Sequence, residues 1–350
     1  MSLKLKLDIR FGEPLLFRGF LPEAETDRLR FRLQDGREIA LYLSDRRTQL
    51  LPFDVAPSDP QRLKEHGGTI NCIGLTMELV IPEPYPDVMR ALAANQPAES
   101  VNKLLVEARD LALRVHNGLV EYVRNVEKQY WLQPIVPETY AHIRFLVGTE
   151  VYWLDESGEW REFPKFPTNH TSICPWEMGI SGPDVTLDQD IAISQDKWQS
   201  RIPVFLQRFI DEGKRASTID TLIANAYWHL ERLETSLAIV EAVRALEQFV
   251  RSQLPKVVRN YLMRDKQVAL GEEDISKLFQ KAGLRAVTLL VLELLGQSLG
   301  VEPKDIEQIQ HAVNLRNEVL HLGRERVSFP EANECIASIH RAISILGKTI

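Results

Sequence analysis

The feature that most constrains this chain is a change of period. In DRLRFRLQDGREIALYLS, residues 27–44, apolar and polar side chains alternate on both sides of Asp35-Gly36. That is the pattern of two strands joined by a tight turn, where glycine tolerates positive φ. From about residue 195 the alternation is gone, and apolar residues recur every three or four positions, as on one face of a helix. Two periods in one chain predict two architectures: an α+β N-terminal domain over 1–190, of unknown role, and an all-α helical bundle over 195–350. A length of 350 residues also suits two cores better than one.

Within the first part, GTINCIGLTMELVIP (68–82), AHIRFLVG and TEVYWLDESGEWREF read as further strands, the last turning at Ser157-Gly158. Between them, Leu104, Leu111, Val115, Leu119, Tyr122 and Val126 recur at helical spacing and predict a long helix over about 99–129. The Pro-, Gly- and Asp-rich stretch 164–190 is the expected passage between domains. In the second part, residues 217–254 predict two helices meeting near Glu234, and 302–322 and 330–346 predict two more. Pro303 suits a first helical turn, and Gly323 suits the position past a last one. The expected bundle core includes Leu237, Val240, Leu246, Val313, Leu320, Ile336, Ile339 and Ile343.

Charge and composition narrow the function. A formal net charge of −7 argues against sequence-blind coating of nucleic acid, while leaving room for a local basic site. Cys72, Cys174 and Cys335 are odd in number and far apart, which suits a reducing compartment better than a disulfide framework. The most apolar run, AVTLLVLELLG (286–296), is too short to span a membrane and contains Glu293. The first residues lack the apolar centre of a signal peptide. The cytoplasm is the expected compartment, with no membrane partner. His170 and Cys174 have a metal-like spacing but no second pair nearby, so neither a metal nor another cofactor is expected.

One stretch carries chemistry. In NLRNEVLHLG, residues 314–323, Asn317 and His321 are four apart and share a helix face. Arg316 lies beside them. Histidine moves protons near neutral pH. Arginine offers a planar, permanently charged fork suited to phosphate, and asparagine can orient either group. Arg109 and His116 repeat the pairing loosely on the first domain's long helix, where the spacing is read as coincidence. A second basic segment, RSQLPKVVRNYLMRDK, supplies Arg251, Lys256, Arg259, Arg264 and Lys266 around Tyr261. Such a group could hold an RNA backbone while the ring stacks on a base. A solvated helix flank gives the same composition. Glu231, Glu234, Glu241 and Glu247 are expected as helix-surface or interhelix partners, not as a catalytic carboxylate pair.

LRNEVLHLG at the end of a bundle helix resembles the signature of the HEPN superfamily: an arginine, a polar residue, a short spacer and a histidine. SLAIVEAVRALEQFV (236–250) resembles the family's second helix, with Glu247 at the acidic position after an Ala-Leu pair. The likeness spans about 215–346 and is greatest to the Apea-like branch. It implies a HEPN-like fold for the bundle and a metal-independent endoribonuclease, of the toxin or phage-defence type. His321 would serve as general acid or base, and Arg316 would stabilise the phosphorane. Asn317 would position one of them, beside Glu247. The resemblance also implies RNA as partner and a homodimer through the C-terminal bundle. A non-catalytic interaction or nucleotide-binding module of the same family stands as the alternative.

Overall fold

The computed structural model describes residues 2–18, 22, 25–43, 48–50, 69–82, 84, 86–93, 99–134, 146–155, 157–162, 193–213, 215–263, 271–287, 298, 300–321 and 327–348. Two compact units divide the chain, Met1–Arg215 and Ala216–Ile350.

The first unit is built on a largely antiparallel sheet. Its strands are β1 (Leu3–Arg18), β2 (Leu29–Arg32), β3 (Glu38–Leu43), β4 (Thr48–Leu50), β5 (Thr69–Ile81), β6 (Leu146–Leu154), β7 (Trp160–Glu162) and β8 (Ile193–Ser194). The order is β2-β3-β5-β1-β6-β7, with β4 on β5 and β8 on β1. The Asp35-Gly36 hairpin forms as its sequence predicts: Leu33 donates to Arg37 across the turn at 2.8 Å, and Gly36 sits at φ +87°. Period two then sorts the faces. Leu5, Leu7 and Ile9 of β1 and Leu75, Met77 and Leu79 of β5 are buried, while Lys4, Lys6, Glu78 and Val80 stand on the opposite side.

Two helices cover the buried face, α2 (Glu99–Val126) and α3 (Ile202–Asp211), a shorter α1 (Pro86–Ala93) preceding them. Leu111, Val115 and Leu119 of α2 and Ile202, Leu206 and Phe209 of α3 join the strand residues in one core. Gly118 lets α2 and α3 approach closely: a Cβ there would lie 2.9 Å from side-chain carbons of Leu206 and Phe209. Val126, expected on the buried stripe, is 48% exposed in the last turn of α2. Just before α3, a π-helical turn (Lys197–Arg201) buries Trp198, whose indole N–H donates to the Asp27 carbonyl at 2.9 Å.

Residues 195–211 thus correct the expected boundary. Helical period alone assigns them to the bundle, yet they complete the core of the sheet unit. Helical periodicity shows that a segment buries one face, not which neighbour receives it.

The second unit contains α4 (Thr218–Glu231), α5 (Thr235–Ser252), α6 (Leu254–Tyr261), α7 (Glu272–Val287), α8 (Pro303–His321) and α9 (Phe329–Gly347). Ser217 caps α4 by accepting from the Asp220 amide, and Ser328 with Glu331 forms a capping box on α9. The α4–α5 break falls where the sequence placed it, with Leu233 held at φ +60°. Helix α8 runs antiparallel to α5: Arg316 meets Glu247, and beyond the helix the Val327 carbonyl accepts from Thr235 Oγ1 at 2.6 Å.

Leu246, Val313, Ile336 and Ile339 are buried, and Ile343 packs against their core. Val240 is half-buried. Leu237 and Leu320 depart from expectation, being 52% and 50% exposed. They occupy the first turn of α5 and the last turn of α8. The antiparallel packing sets those turns at the same end of the bundle. Val319, not Leu320, reaches the core from the last turn of α8. Among the described residues, no helix is long and apolar enough to cross a membrane.

Candidate functional site

Helix α8 starts on Pro303, with Asp305 in its first turn and His321 in its last. This placement suits the helix dipole at both ends. Ile306, Ile309, Ala312, Val313 and Leu315 bury its inner face. Arg316 follows this stripe one turn after Ala312, so its long side chain is directed toward α5 and is only partly exposed.

There its guanidinium meets two groups. One terminal nitrogen donates to Asn317 Oδ1 at 3.0 Å, and the other lies 3.5 Å from Glu247 Oε1. Both members of the ion pair keep about a quarter of their side-chain surface in contact with solvent, so water screens part of the attraction. Arg316 Nε is buried and has no hydrogen-bond partner among the described residues. The arginine is therefore held in place while one donor stays unused. His321 is exposed in the last turn, on the face it shares with Asn317.

The structure thus brings Arg316, Asn317 and Glu247 into contact and sets His321 about one turn further on, in solvent. Glu234 and Glu241 pair with neighbours on their own side of the bundle, as expected of surface glutamates. Glu234 meets the His229 ring at 2.7 Å and Arg232 at 3.4 Å, and Glu241 meets Arg244 at 2.6 Å. The hydrogen bond from His229 lowers the Glu234 carboxyl pKa most; burial opposes it, and the Arg232 hydrogen bond adds a smaller lowering.

The basic segment continues from α5 into α6. Arg251 is exposed one turn beyond Glu247, and Lys256 is exposed on α6. The short helix α6 buries Leu254, Pro255, Val257 and Val258, which leaves its cations on the outer side. Arg259 lies 3.7 Å from Glu272 at the start of α7, so part of its charge is already balanced. Tyr261 is half-buried at the end of α6. Arg264 and Lys266 lie outside the described residues, as do His170, Cys174 and the stretch 164–190.

Arg109 and His116 behave differently from the pair on α8. His116 is 2% exposed, stacked on Phe11 at 4.6 Å between centroids, with Nδ1 3.1 Å from Asn117 Oδ1. Burial pushes its pKa down to about 4, against a smaller opposing effect of Asn117. It is a neutral core histidine. Arg109 lies 3.8 Å from Asp110 on the helix surface.

Among the described residues, no three His, Cys, Asp or Glu side chains gather as a metal-ligand set. No family model matches this chain, and neither a curated protein nor a solved structure matches it.

Proposed function

We propose that the C-terminal bundle is a metal-independent endoribonuclease of the HEPN type, working in the cytoplasm as a toxin or phage-defence factor. The observation that carries the proposal is the half-buried Arg316, anchored by Glu247 and Asn317 and followed one turn later by the exposed His321. A phosphodiester needs a fixed cation near its non-bridging oxygens and a group that moves a proton. Here the two come from one helix.

In the proposed reaction, a ribose 2′-OH attacks the adjacent phosphorus and the 5′-oxygen leaves. The products are a 2′,3′-cyclic phosphate and a 5′-OH. One proton leaves the 2′-OH and one reaches the 5′-oxygen. His321 serves one of these transfers, and its copy in a second protomer serves the other. Arg316 stabilises the charge on the phosphorane, and Asn317 with Glu247 holds its fork in position. DNA lacks the 2′-OH and should resist. Arg251 and Lys256 would guide the RNA backbone along α5 and α6.

A two-fold dimer through the bundle is part of this reading. Leu237 and Leu320, both half in solvent, flank the motif end of the bundle, and two copies meeting there would cover them. A single sedimenting species of monomer mass at micromolar concentration would count against the dimer.

One observation favours a second reading. The guanidinium of Arg316 already has two partners, as in a structural ion pair of a non-catalytic interaction or nucleotide-binding module. The two readings separate in one experiment. Purified protein is incubated with total RNA, with and without EDTA, beside His321→Ala. The enzyme reading expects EDTA-resistant cleavage that His321→Ala abolishes. Cleavage that survives in His321→Ala, once contaminating nuclease is excluded, would refute the assignment. A parent protein that never cleaves RNA leaves the module reading in its place.

A further inference from the structure

Among the described residues, the face of the N-terminal sheet away from its helices carries long, mutually paired side chains, with a gap over Ala40. Strand registers set its residues in cross-strand rows. One row runs Arg32, Glu38, Val80, Lys4; the next Arg30, Ala40, Glu78, Lys6; the third Tyr42, Thr76, Asp8. In the third row the gaps are closed. Arg28 lies over the Tyr42 ring at 4.2 Å, the Tyr42 hydroxyl donates to Glu78 at 3.0 Å, and Thr76 donates to Asp8 at 2.8 Å. In the middle row Ala40 presents only a methyl group. A notch of about 280 Å³ opens above it, lined by Arg30, Arg32, Glu38, Ala40, Glu78 and Val80.

The charges of this lining cancel in sum but not in place. The two arginines stand on β2, at the sheet edge. The two carboxylates stand on β3 and β5, with the apolar floor of Ala40 and Val80 among them. A bare anion or a bare cation would gain little from such a lining, since each would meet repulsion as well as attraction. A ligand carrying both charges meets complementary groups on both sides.

The positive wall is also available. Arg30 reaches Glu25 at 3.2 Å with both side chains more than half exposed, and Arg32 reaches Glu38 only at 3.9 Å in solvent. Such pairs are weak and exchange readily. Glu78 is the fixed point of the negative wall, tied to both Arg28 and Tyr42. The volume suits a molecule of a few heavy atoms, smaller than most cofactors.

We propose that the notch over Ala40 binds a small zwitterion with an apolar side chain, of the α-amino-acid class. Its carboxylate faces Arg30 and Arg32, its ammonium faces Glu38 and Glu78, and its side chain rests on Ala40 and Val80. The proposal is independent of the bundle's chemistry and gives the first unit a role as a small-molecule sensor.

Titration calorimetry on the full chain tests it with three probes. They are L-leucine, 4-methylpentanoate, which lacks the ammonium, and 3-methylbutylamine, which lacks the carboxylate. Leucine should bind saturably, and each truncated probe should bind about tenfold more weakly or worse, as expected for a lost charge-assisted contact. Ala40→Leu should fill the notch and abolish binding with its thermal midpoint unchanged. If that variant is destabilised, Arg30→Gln, at an exposed side chain, should weaken leucine about tenfold instead. No saturable binding of any probe overturns the proposal, as does leucine binding that is unaltered in a folded Ala40→Leu or in Arg30→Gln. Equal binding of leucine and 4-methylpentanoate overturns the zwitterion and leaves an anion site.

Discussion

His116 and His321 each follow an arginine on a long amphipathic helix, yet they occupy opposite environments. His116 lies under the sheet unit's first strand, stacked on Phe11 and almost fully enclosed. His321 stands in the last turn of α8, in solvent, after an arginine that is partly buried and held by two partners. The imidazole is the same in both. What differs is whether water and substrate can reach it. A group that must exchange protons with a substrate cannot sit where burial keeps it neutral throughout the physiological range.

Mutation of each histidine should move a different observable, and that is the sharpest way to break the comparison. His321→Ala should lower RNA cleavage by roughly 100- to 10,000-fold, the usual cost of one acid–base group, and leave the thermal midpoint almost unchanged. Arg316→Ala should act similarly on cleavage. If either variant unfolds instead, α8 ends in a structural cluster and the module reading stands.

His116→Ala should do the reverse. It removes a buried ring and leaves a void against Phe11, a change that costs about 2–4 kcal/mol in folding stability. Denaturant titration of the sheet unit's unfolding reads this directly. A loss under 1 kcal/mol would show that His116 is not the core residue described.

The same contrast has a pH signature. His116 has a folded-state pKa of about 4, below its ordinary value of 6.5. Between those values the unfolded chain holds the extra proton, so stability rises with pH. The contribution is fully present above about pH 6.5 and is lost as pH falls toward 4, with a total on the order of 3 kcal/mol. Unfolding midpoints measured across that window should show this slope in the parent chain and less of it in His116→Ala. An identical slope in both would assign the effect to other groups.

The smallest effects concern packing and surface charge. Gly118→Ala gains about 1 kcal/mol of helix propensity, but the added methyl meets Leu206 and Phe209 at 2.9 Å. The net should be destabilising by roughly 1–2 kcal/mol, readable as a lower thermal midpoint. A stabilised variant would mean that α2 and α3 do not pack so closely. Arg109→Ala should leave cleavage unchanged.

Much of the fold could be read from local pattern. The hairpin at Asp35-Gly36, the strand near 68–82, the break near Glu234 and the helices over 99–126, 303–321 and 329–347 all lie where period and turn residues put them. Position relative to distant neighbours was not legible. Leu237 and Leu320 match an apolar stripe, but they fall in terminal turns where the described core does not reach them. Segment 195–211 shows an amphipathic face but not its destination. The contact between Arg316 and Asn317 could be anticipated from adjacency. Glu247 pairing with that arginine depends on the antiparallel setting of α5 against α8, which no local pattern encodes. The notch on the sheet was hidden more deeply. Arg30, Arg32, Glu38 and Ala40 look like ordinary outward residues of a hairpin until register brings Glu78 and Val80 beside them.

The late partners of β1 matter for how the chain folds during synthesis. Its first strand pairs with Ile193 and Ser194, and Trp198 closes onto Asp27 across a separation of 171 residues. The sheet unit therefore cannot finish its core until α3 has been made and has cleared the ribosomal exit tunnel. Until then the inner face of β1, β3 and β5 lacks part of its cover, so this half should be the one that needs chaperones. The bundle also joins distant segments, since Thr235 meets Val327 across 92 residues, so it too must wait for its last helix. A nascent chain stopped before residue 193 should be protease-sensitive throughout, and one stopped far enough beyond 215 for α3 to clear the exit tunnel should yield a resistant N-terminal fragment.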